Sequence, residues 1–339
     1  MPSLRHSSPG EPGYTRRRRG RGWTYLDDQG RVVRDERLRR RFADLAIPPA
    51  WTDVWICRSS RGHLQAAGTD AAGRRQYLYH PAWHEQRQRE KYMRILRFAD
   101  GLPTLRRVSA QQLRRRTLDR EKALAAAVQL LDRTHIRVGS EQYAGPDGTY
   151  GLATLRSRHV TVEGDTLVLD FEGKGGVEQH AEVRDARLAR TIAEMDGLPG
   201  YEVFSYRDEG GAVVDVRSED VNAYIKEHMG EDFSAKDFRT WAGTVAAAVA
   251  LDEVGAVEGA HARRRAVARV CRLASELLGN TPAVCRASYI DPRVIDEFLD
   301  GRTISTLRRR IRSGLDDGHS AEELAVLALL RRGLDDRAG

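Results

Sequence analysis

The stretch VWICRSSRGHLQAAGTDAAGRRQYLY, residues 54–79, runs directly into HPAWHEQRQRE, residues 80–90, and the period of the chain changes between them. Before His80, short apolar runs are separated by Gly-rich turns, which reads as two strands. After Pro81 the spacing becomes helical: Trp83–Ala99 carries many polar groups, and Ala110–Leu131 ends in a strongly helical Ala/Leu run. A β-rich domain therefore gives way to an α-rich one near residue 90, which places the chain in the α+β class.

The same reading extends in both directions. Toward the amino terminus, Glu36–Leu45 has helical spacing and stops before Ile47-Pro48-Pro49, and WTYLDDQGRVV, residues 23–33, reads as a hairpin about Asp28-Gln29-Gly30. Residues 1–22 are rich in Pro, Gly, Ser and Arg and offer few groups for burial, so a flexible basic tail is expected there. Toward the carboxyl terminus, His159–Glu163 and Thr166–Glu172 alternate about Gly164-Asp165, so a β-hairpin is expected near 159–183. Helices are expected near 217–229, 235–253, 261–279, 291–300 and 321–333. The expected organisation is thus a tail over 1–22, a small β-rich domain over 23–90 and a larger, mainly α-helical domain over 91–339.

Charge narrows the function. Among 339 residues, 56 are Lys or Arg and 49 Asp or Glu, a formal net charge of +7. Only five of the basic residues are lysines (Lys91, Lys122, Lys174, Lys226, Lys236), so 51 are arginines. Codon bias accounts for most of them, which makes each remaining Lys worth inspecting. Residues 1–120 carry a net +15 and the rest of the chain a net −8. Such a basic third points to a polyanionic partner, either nucleic acid or an anionic membrane. The longest apolar stretches, Ala123–Leu131 and Thr244–Leu251, are far short of the roughly 20 residues that span a bilayer. The opening MPSLRHSSPGEPGY lacks the apolar centre of a secretory signal. Cys57, Cys271 and Cys285 form no CxxC pair and suit a reducing cytoplasm. His80 and His84 have Pro81 between them and no third ligand nearby, so no metal site is expected. Nor is a nucleotide-binding loop: around Gly173-Lys174, position 168 is Val rather than Gly, and Gly175 stands where Ser or Thr is required.

Five short stretches carry the chemistry: His135-Ile136-Arg137-Val138-Gly139, Phe171-Glu172-Gly173-Lys174-Gly175, Lys236-Asp237-Phe238-Arg239-Thr240-Trp241, Leu278-Gly279-Asn280-Thr281-Pro282 and Arg286-Ala287-Ser288-Tyr289-Ile290. Each alone is weak, since an Arg at a helix end or a Lys at a hairpin tip is more often structural or solvated. Their order and spacing taken together resemble the type IB DNA topoisomerases, in particular the small bacterial and poxvirus branch. The resemblance covers nearly the whole chain. Ile47-Pro48-Pro49-Ala50-Trp51, Gly62-His63-Leu64-Gln65-Ala66 and Gly73-Arg74-Arg75-Gln76-Tyr77-Leu78-Tyr79 look like that branch's amino-terminal domain. Tyr150-Gly151-Leu152-Ala153-Thr154-Leu155 with His159-Val160 looks like the segment after its first catalytic Arg.

The resemblance implies two lobes closing as a C-shaped clamp on double-stranded DNA. It also implies that Tyr289 attacks a backbone phosphorus, leaving a 3′-phosphotyrosyl bond and a free 5′-hydroxyl. A phenol, with a reference pKa of about 10, is a weak nucleophile at neutral pH. Arg137 and Arg239 would hold the non-bridging oxygens of the transition state with permanent bidentate charge. Lys174 would be the general acid that protonates the departing 5′-oxygen, from a hairpin tip made mobile by Gly173, Gly175 and Gly176. Asn280 stands where the poxvirus and nuclear enzymes carry His. Its amide can donate to a phosphate oxygen but cannot shuttle protons, and a purely structural place at the end of helix 261–279 stays open. No cofactor or metal is implied, and the conserved energy of the phosphotyrosyl bond makes ATP unnecessary.

For DNA contact the resemblance points to Gln76, Tyr77 and Tyr79, flanked by Arg74 and Arg75, and to Tyr143. Strand alternation puts Tyr77 and Tyr79 on one face and Gln76 on the other, so the three are not equal base readers. The Arg16–Arg21 run is expected to supply sequence-independent phosphate attraction. A monomer in the cytoplasm, associated with the nucleoid, is the expected setting. Tyrosine recombinases share the catalytic chemistry, but they usually carry His three residues before the second Arg, where this chain has Lys236, and their amino-terminal domain is usually helical. A non-catalytic DNA-binding protein would explain the charge but not Arg137, Lys174, Arg239 and Tyr289 together.

Overall fold

The computed structural model describes residues 4–20, 22–139, 148–308 and 318–338. The chain divides into two compact units, Met1–Tyr92 and Met93–Gly339.

The first unit is an antiparallel sheet of β1 (Gly13–Arg19), β2 (Gly22–Leu26), β3 (Thr52–Cys57), β4 (Leu64–Thr69) and β5 (Arg75–Tyr79), in the order β2-β1-β3-β4-β5. Strand alternation gives it two covered faces. Val54, Ile56 and Ala66 join Phe42 and Ile47 on one face, while Trp55, Cys57, Leu64 and Ala67 cluster on the other. Phe42 comes from α1 (Glu36–Asp44), whose first turn is capped by the Asp35 carboxylate accepting from the N–H groups of Arg37 and Leu38. Burying that ring contributes about 2–3 kcal/mol. Two turns share the pattern Asp-x-x-Gly-Arg: Asp27 accepts from the backbone of Gln29 and Arg31, and Asp70 from that of Ala72 and Arg74.

Two expectations for this unit are corrected. Residues 54–79 and their flanks form three strands, not two: the Ala66-Ala67-Gly68 centre of β4 carries little apolar bulk to signal a strand. Nor is 1–22 a flexible tail: residues 13–19 are β1, paired with both β2 and β3. Its few apolar groups are enough because the ladder satisfies the backbone and Tyr14 packs 4.9 Å from the Phe42 ring. Arg16 adds an anchor, donating to the carbonyl oxygens of Ile47 (2.8 Å), Pro48 and Trp51 (3.2 Å) while stacking 4.0 Å from the Trp23 ring. That arginine is structural, unlike the exposed Arg17–Arg19. Earlier still, Ser7 donates through its N–H to His63 Nδ1 (3.1 Å) and through Oγ to the Leu64 carbonyl (3.0 Å).

Helix α2 (Pro81–Gln112) continues across the division. The helix expected to begin at Ala110 is interrupted: Asp119 caps α3 (Arg120–Thr134) by accepting from Lys122 N–H, and Thr117 Oγ1 donates to the same carboxylate. Nearly every residue of α3 from Lys122 to Leu131 is buried, so it forms the centre of the second unit. Around it lie an antiparallel sheet of β6 (Val160–Glu163), β7 (Thr166–Gly173) and β8 (Val177–Arg184), then α4 (Ala186–Asp196), and the ribbon of β9 (Ser205–Arg207) and β10 (Val213–Asp215). The remaining helices are α5 (Ser218–Met229), α6 (Ala235–Val254), α7 (Ala260–Leu278), α8 (Pro282–Ser288), α9 (Pro292–Leu299), α10 (Ser305–Arg308) and α11 (Ala321–Ala338). No described helix is long and apolar enough to cross a membrane.

Candidate active site

Helix α3 ends at His135, whose left-handed backbone (φ 57°) turns the chain so that Arg137 follows two residues later. Residues 151–153 then fix the Arg137 backbone: Leu152 N–H donates to Arg137 O (2.9 Å) and Ala153 N–H to Val138 O (2.8 Å). The approach requires glycine, since a Cβ on Gly151 would lie 2.6 Å from Gly139 Cα. Arg239 projects from α6 and is only 3% exposed. Its guanidinium donates to the carbonyl oxygens of His135 and Leu278, the latter at 2.5 Å, while its Nε has no hydrogen-bond partner.

The end of α7 joins the two arginines. Gly279 closes the helix in the left-handed conformation, and Asn280 N–H returns to Ser275 O (3.1 Å). Arg137 Nη2 donates to Gly279 O (3.3 Å) and to Asn280 Oδ1 (2.6 Å), and Asn280 Nδ2 donates to Leu278 O (3.3 Å). Asn280 therefore both closes the helix through its backbone and orients Arg137 through its side chain. Both guanidiniums sit at the negative end of a helix dipole, and neither forms an ion pair with a carboxylate among the described residues.

Tyr289 follows α8, which Thr281 caps by accepting from Val284 N–H and which Pro282 opens. Thr244 of α6 donates from Oγ1 to Tyr289 O (3.3 Å) and accepts from Asp291 N–H (3.1 Å). One residue earlier, Gly243 has no room for a side chain: a Cβ would lie 2.7 Å from Tyr289 O. So held, the Tyr289 ring lies 5.2 Å from the Arg239 guanidinium carbon. Burial, then the neighbouring Arg137 charge, lower the pKa of Arg239, with Tyr289 opposing as a charge and hydrogen-bond partner. Burial likewise lowers that of the His135 imidazole. Gly243 and Thr244 belong to this arrangement, yet no motif signals them, and the motif at His135 does not show that its carbonyl is what serves.

Lys174 is exposed at the β7–β8 tip, where Gly175 and Gly176 have φ of 83° and 74°. The structure thus gathers Arg137, Arg239, Asn280 and Tyr289 and leaves Lys174 on an adjoining hairpin. Of the other lysines, Lys122 is buried against Glu194 (2.7 Å) and Lys226 pairs with Glu231 (3.3 Å). No group of three or more His, Cys, Asp or Glu able to hold a metal occurs among the described residues.

In the first unit, Tyr77 is 49% exposed, and its ring centroid is 6.2 Å from that of the half-buried Tyr79, which packs on the Trp55 cluster. Gln76 is tied down, donating to Asp70 (2.9 Å), which also pairs with Arg74. Arg75 donates to Asp53 O (3.1 Å). Tyr143 lies outside the described residues.

Comparison with known proteins gives the family. Residues 80–310 match the family described as the catalytic core of eukaryotic DNA topoisomerase I, and residues 22–70 match the bacterial DNA topoisomerase IB N-terminal domain. DNA topoisomerase 1B of Acanthamoeba polyphaga mimivirus is 30% identical over 273 residues, covering 78% of this chain and 81% of that protein. DNA topoisomerase 1B of vaccinia virus (strain Copenhagen) and DNA topoisomerase I of monkeypox virus are each 23% identical over 263 residues, covering 75% of this chain and 80% of theirs. These matches span both the β-rich and the helical parts of the chain. The chain belongs to the type IB DNA topoisomerase family, whose members are isomerases acting on DNA.

Proposed function

We propose that the enzyme relaxes positive and negative supercoils by cutting one strand of duplex DNA through Tyr289, letting the free end rotate and resealing the break. The observation that carries this reading is the pair of guanidiniums, the half-buried Arg137 and the buried Arg239, without carboxylate partners among the described residues, at the end of α7 and beside the Tyr289 ring. A phosphodiester entering there exchanges carbonyl contacts for charge-assisted ones. Tyr289 Oη attacks phosphorus, and the negative charge gathered on the non-bridging oxygens falls between the two arginines. Asn280 keeps Arg137 aimed and offers its amide N–H. Lys174 gives its proton to the departing 5′-oxygen and takes it back on religation. The 3′-phosphotyrosyl bond conserves the energy of the broken linkage, so the cycle needs neither ATP nor a metal.

The β-rich unit supplies the rest of the grip, with the two units closing as a C-shaped clamp on the DNA. Tyr77 is the most accessible of the proposed base readers. Arg17–Arg19 and Arg74 attract phosphate, and Arg75 and Tyr79 support the strand. Tyr143 completes the proposed contacts. The enzyme works as a monomer, in the cytoplasm on the nucleoid. The test is plasmid relaxation in EDTA without ATP, with denaturing gels to trap protein attached to a 3′ end. The wild type should relax supercoils of both signs, and Tyr289→Phe should neither relax DNA nor form the adduct. Wild-type inactivity, or full activity of the variant, overturns the mechanism.

A further inference from the structure

Gln179 of β8 lies between two glycines that matter for different parts of the site. Its stem covers Gly173, the residue before Lys174: a Cβ on Gly173 would lie 2.9 Å from Gln179 Cγ. Its amide abuts Gly279, the residue before Asn280, where a Cβ would lie 2.4 Å from Nε2 and 3.0 Å from Oε1. The amide is oriented along its own strand, with Nε2 donating to Glu178 O (3.1 Å) and more weakly to Val177 O (3.4 Å). Gly279 O in turn accepts from Arg137. One half-buried side chain therefore touches both the base of the Lys174 tip and the turn that holds Arg137 and Asn280.

We propose that Gln179 is a positioning residue: it seats the tip carrying Lys174 against the end of α7, so that the proton donor arrives in register with the two arginines. The tip has little else to fix it. Gly175 and Gly176 have left-handed backbones, Lys174 is exposed, and the last rung of the ladder is Gly173 with Val177. Without the Gln179 side chain the hairpin keeps its backbone pairing but loses this wedge. Displacements of about 1 Å in such positioning cost on the order of 100-fold in rate.

The proposal rests on Lys174 being the general acid, and the test separates the two. Single-turnover cleavage is measured on a duplex with the ordinary 5′-oxygen at the scissile phosphate and on one with sulfur in that bridging position. A thiolate leaves without a proton, because a thiol is far more acidic than an alcohol. Lys174→Ala should lose most of its rate on the oxygen substrate and recover on sulfur. Gln179→Ala should fall roughly 10- to 100-fold on oxygen and come within about threefold of wild type on sulfur. Gly173→Ala, which displaces the same stem from the other side, should repeat that pattern. Failure of Lys174→Ala to recover overturns the general-acid reading and this proposal with it. Recovery of Lys174→Ala while Gln179→Ala is either unimpaired or equally slow on both substrates overturns the role of Gln179 alone.

Discussion

Arg106 and Arg239 both lie in the helical unit within electrostatic reach of the His135 imidazole, Arg106 partly exposed and Arg239 buried, yet they are used in opposite ways. Arg106 meets two carboxylates, Asp132 at 2.8 and 3.0 Å and Glu323 at 2.8 and 2.9 Å, and also donates to Gly318 O. Desolvation opposes its charge, but the hydrogen bonds it donates to the Glu323 and Asp132 carboxylates outweigh this and raise its pKa. Arg239 meets carbonyl oxygens, the Tyr289 side chain and the charge of Arg137, with no carboxylate partner among the described residues, and its pKa is lowered. A charge already neutralised by two carboxylates away from bulk water has little left for a substrate. A charge held by dipoles alone is favourable only in part and is completed by an anion. The two are also linked in structure: Trp241, two residues after Arg239 on α6, donates to the same Glu323 carboxylate (2.8 Å). The paired arginine thus helps set the rotation of the helix that carries the unpaired one.

The strongest way to break this contrast is to turn an arginine of the second kind into one of the first. Asn280→Asp keeps the shape of the side chain but places a carboxylate where Arg137 now meets an amide oxygen at 2.6 Å. The carboxylate competes with the phosphate for Arg137, so cleavage should slow by roughly 100- to 1,000-fold, with stability retained or raised. Asn280→Ala leaves the charge available and should cost less, about tenfold. Single-turnover cleavage and thermal unfolding of the same preparations decide it. If Asn280→Asp cleaves faster than Asn280→Ala, the neutralisation argument fails.

The converse change attacks the structural arginine. Arg106→Ala leaves Asp132 and Glu323 without their cation and should destabilise the protein by about 3 kcal/mol, toward the low end for a broken buried pair because Arg106 is partly exposed. Urea unfolding measures the loss, and an effect below about 1 kcal/mol would mean that the network is not structural. A smaller effect tests the same network by pH. Glu323 loses by desolvation but gains more from Arg106, Ser320 and Trp241, so its pKa in the folded state lies below the ordinary 4.5. Its contribution is therefore complete above about pH 4.5 and is lost as pH falls through the depressed folded value. The stability gap between wild type and Glu323→Gln should be about 2 kcal/mol at pH 7 and close progressively in acid. A gap that widens in acid has the wrong sign for this pairing.

How much of this was legible in the sequence differs between the two kinds of arginine. The helices at 235–254 and 260–278 follow from apolar periodicity, and the change at Pro81 separates strands from helices. Arg137, Arg239, Asn280 and Tyr289 were singled out by motifs, but their convergence on the end of α7 depends on contacts across more than a hundred residues, which no local spacing encodes. The partners of Arg106 are no easier to find: Asp132 lies 26 residues on and Glu323 217, and both look like any other acidic residues of a helix. Strand β1 was misread because counting apolar groups ignores what a backbone ladder and one well-placed guanidinium supply. Among 51 arginines, residue type cannot say which meets a carboxylate, which a carbonyl and which only water.

Arg74 extends the contrast to the surface, where the expected effect is smallest. It pairs with Asp70 at 2.9 Å, but its side chain is 74% exposed, and hydrogen bonds from the Arg74, Gln76 and Ala72 groups share the same carboxylate. Most of the turn is held by the backbone N–H groups of Ala72 and Arg74, which a substitution at Arg74 leaves in place. Arg74→Ala should therefore change the unfolding free energy by less than about 1 kcal/mol. If Arg74 attracts phosphate, its loss should appear instead in DNA binding, as a dependence of log affinity on log salt that is shallower by about one, with the cleavage rate of bound DNA little changed. A large loss of stability would show that exposure alone does not separate surface pairs from the Arg106 network. An unchanged salt dependence would remove Arg74 from the DNA-facing surface.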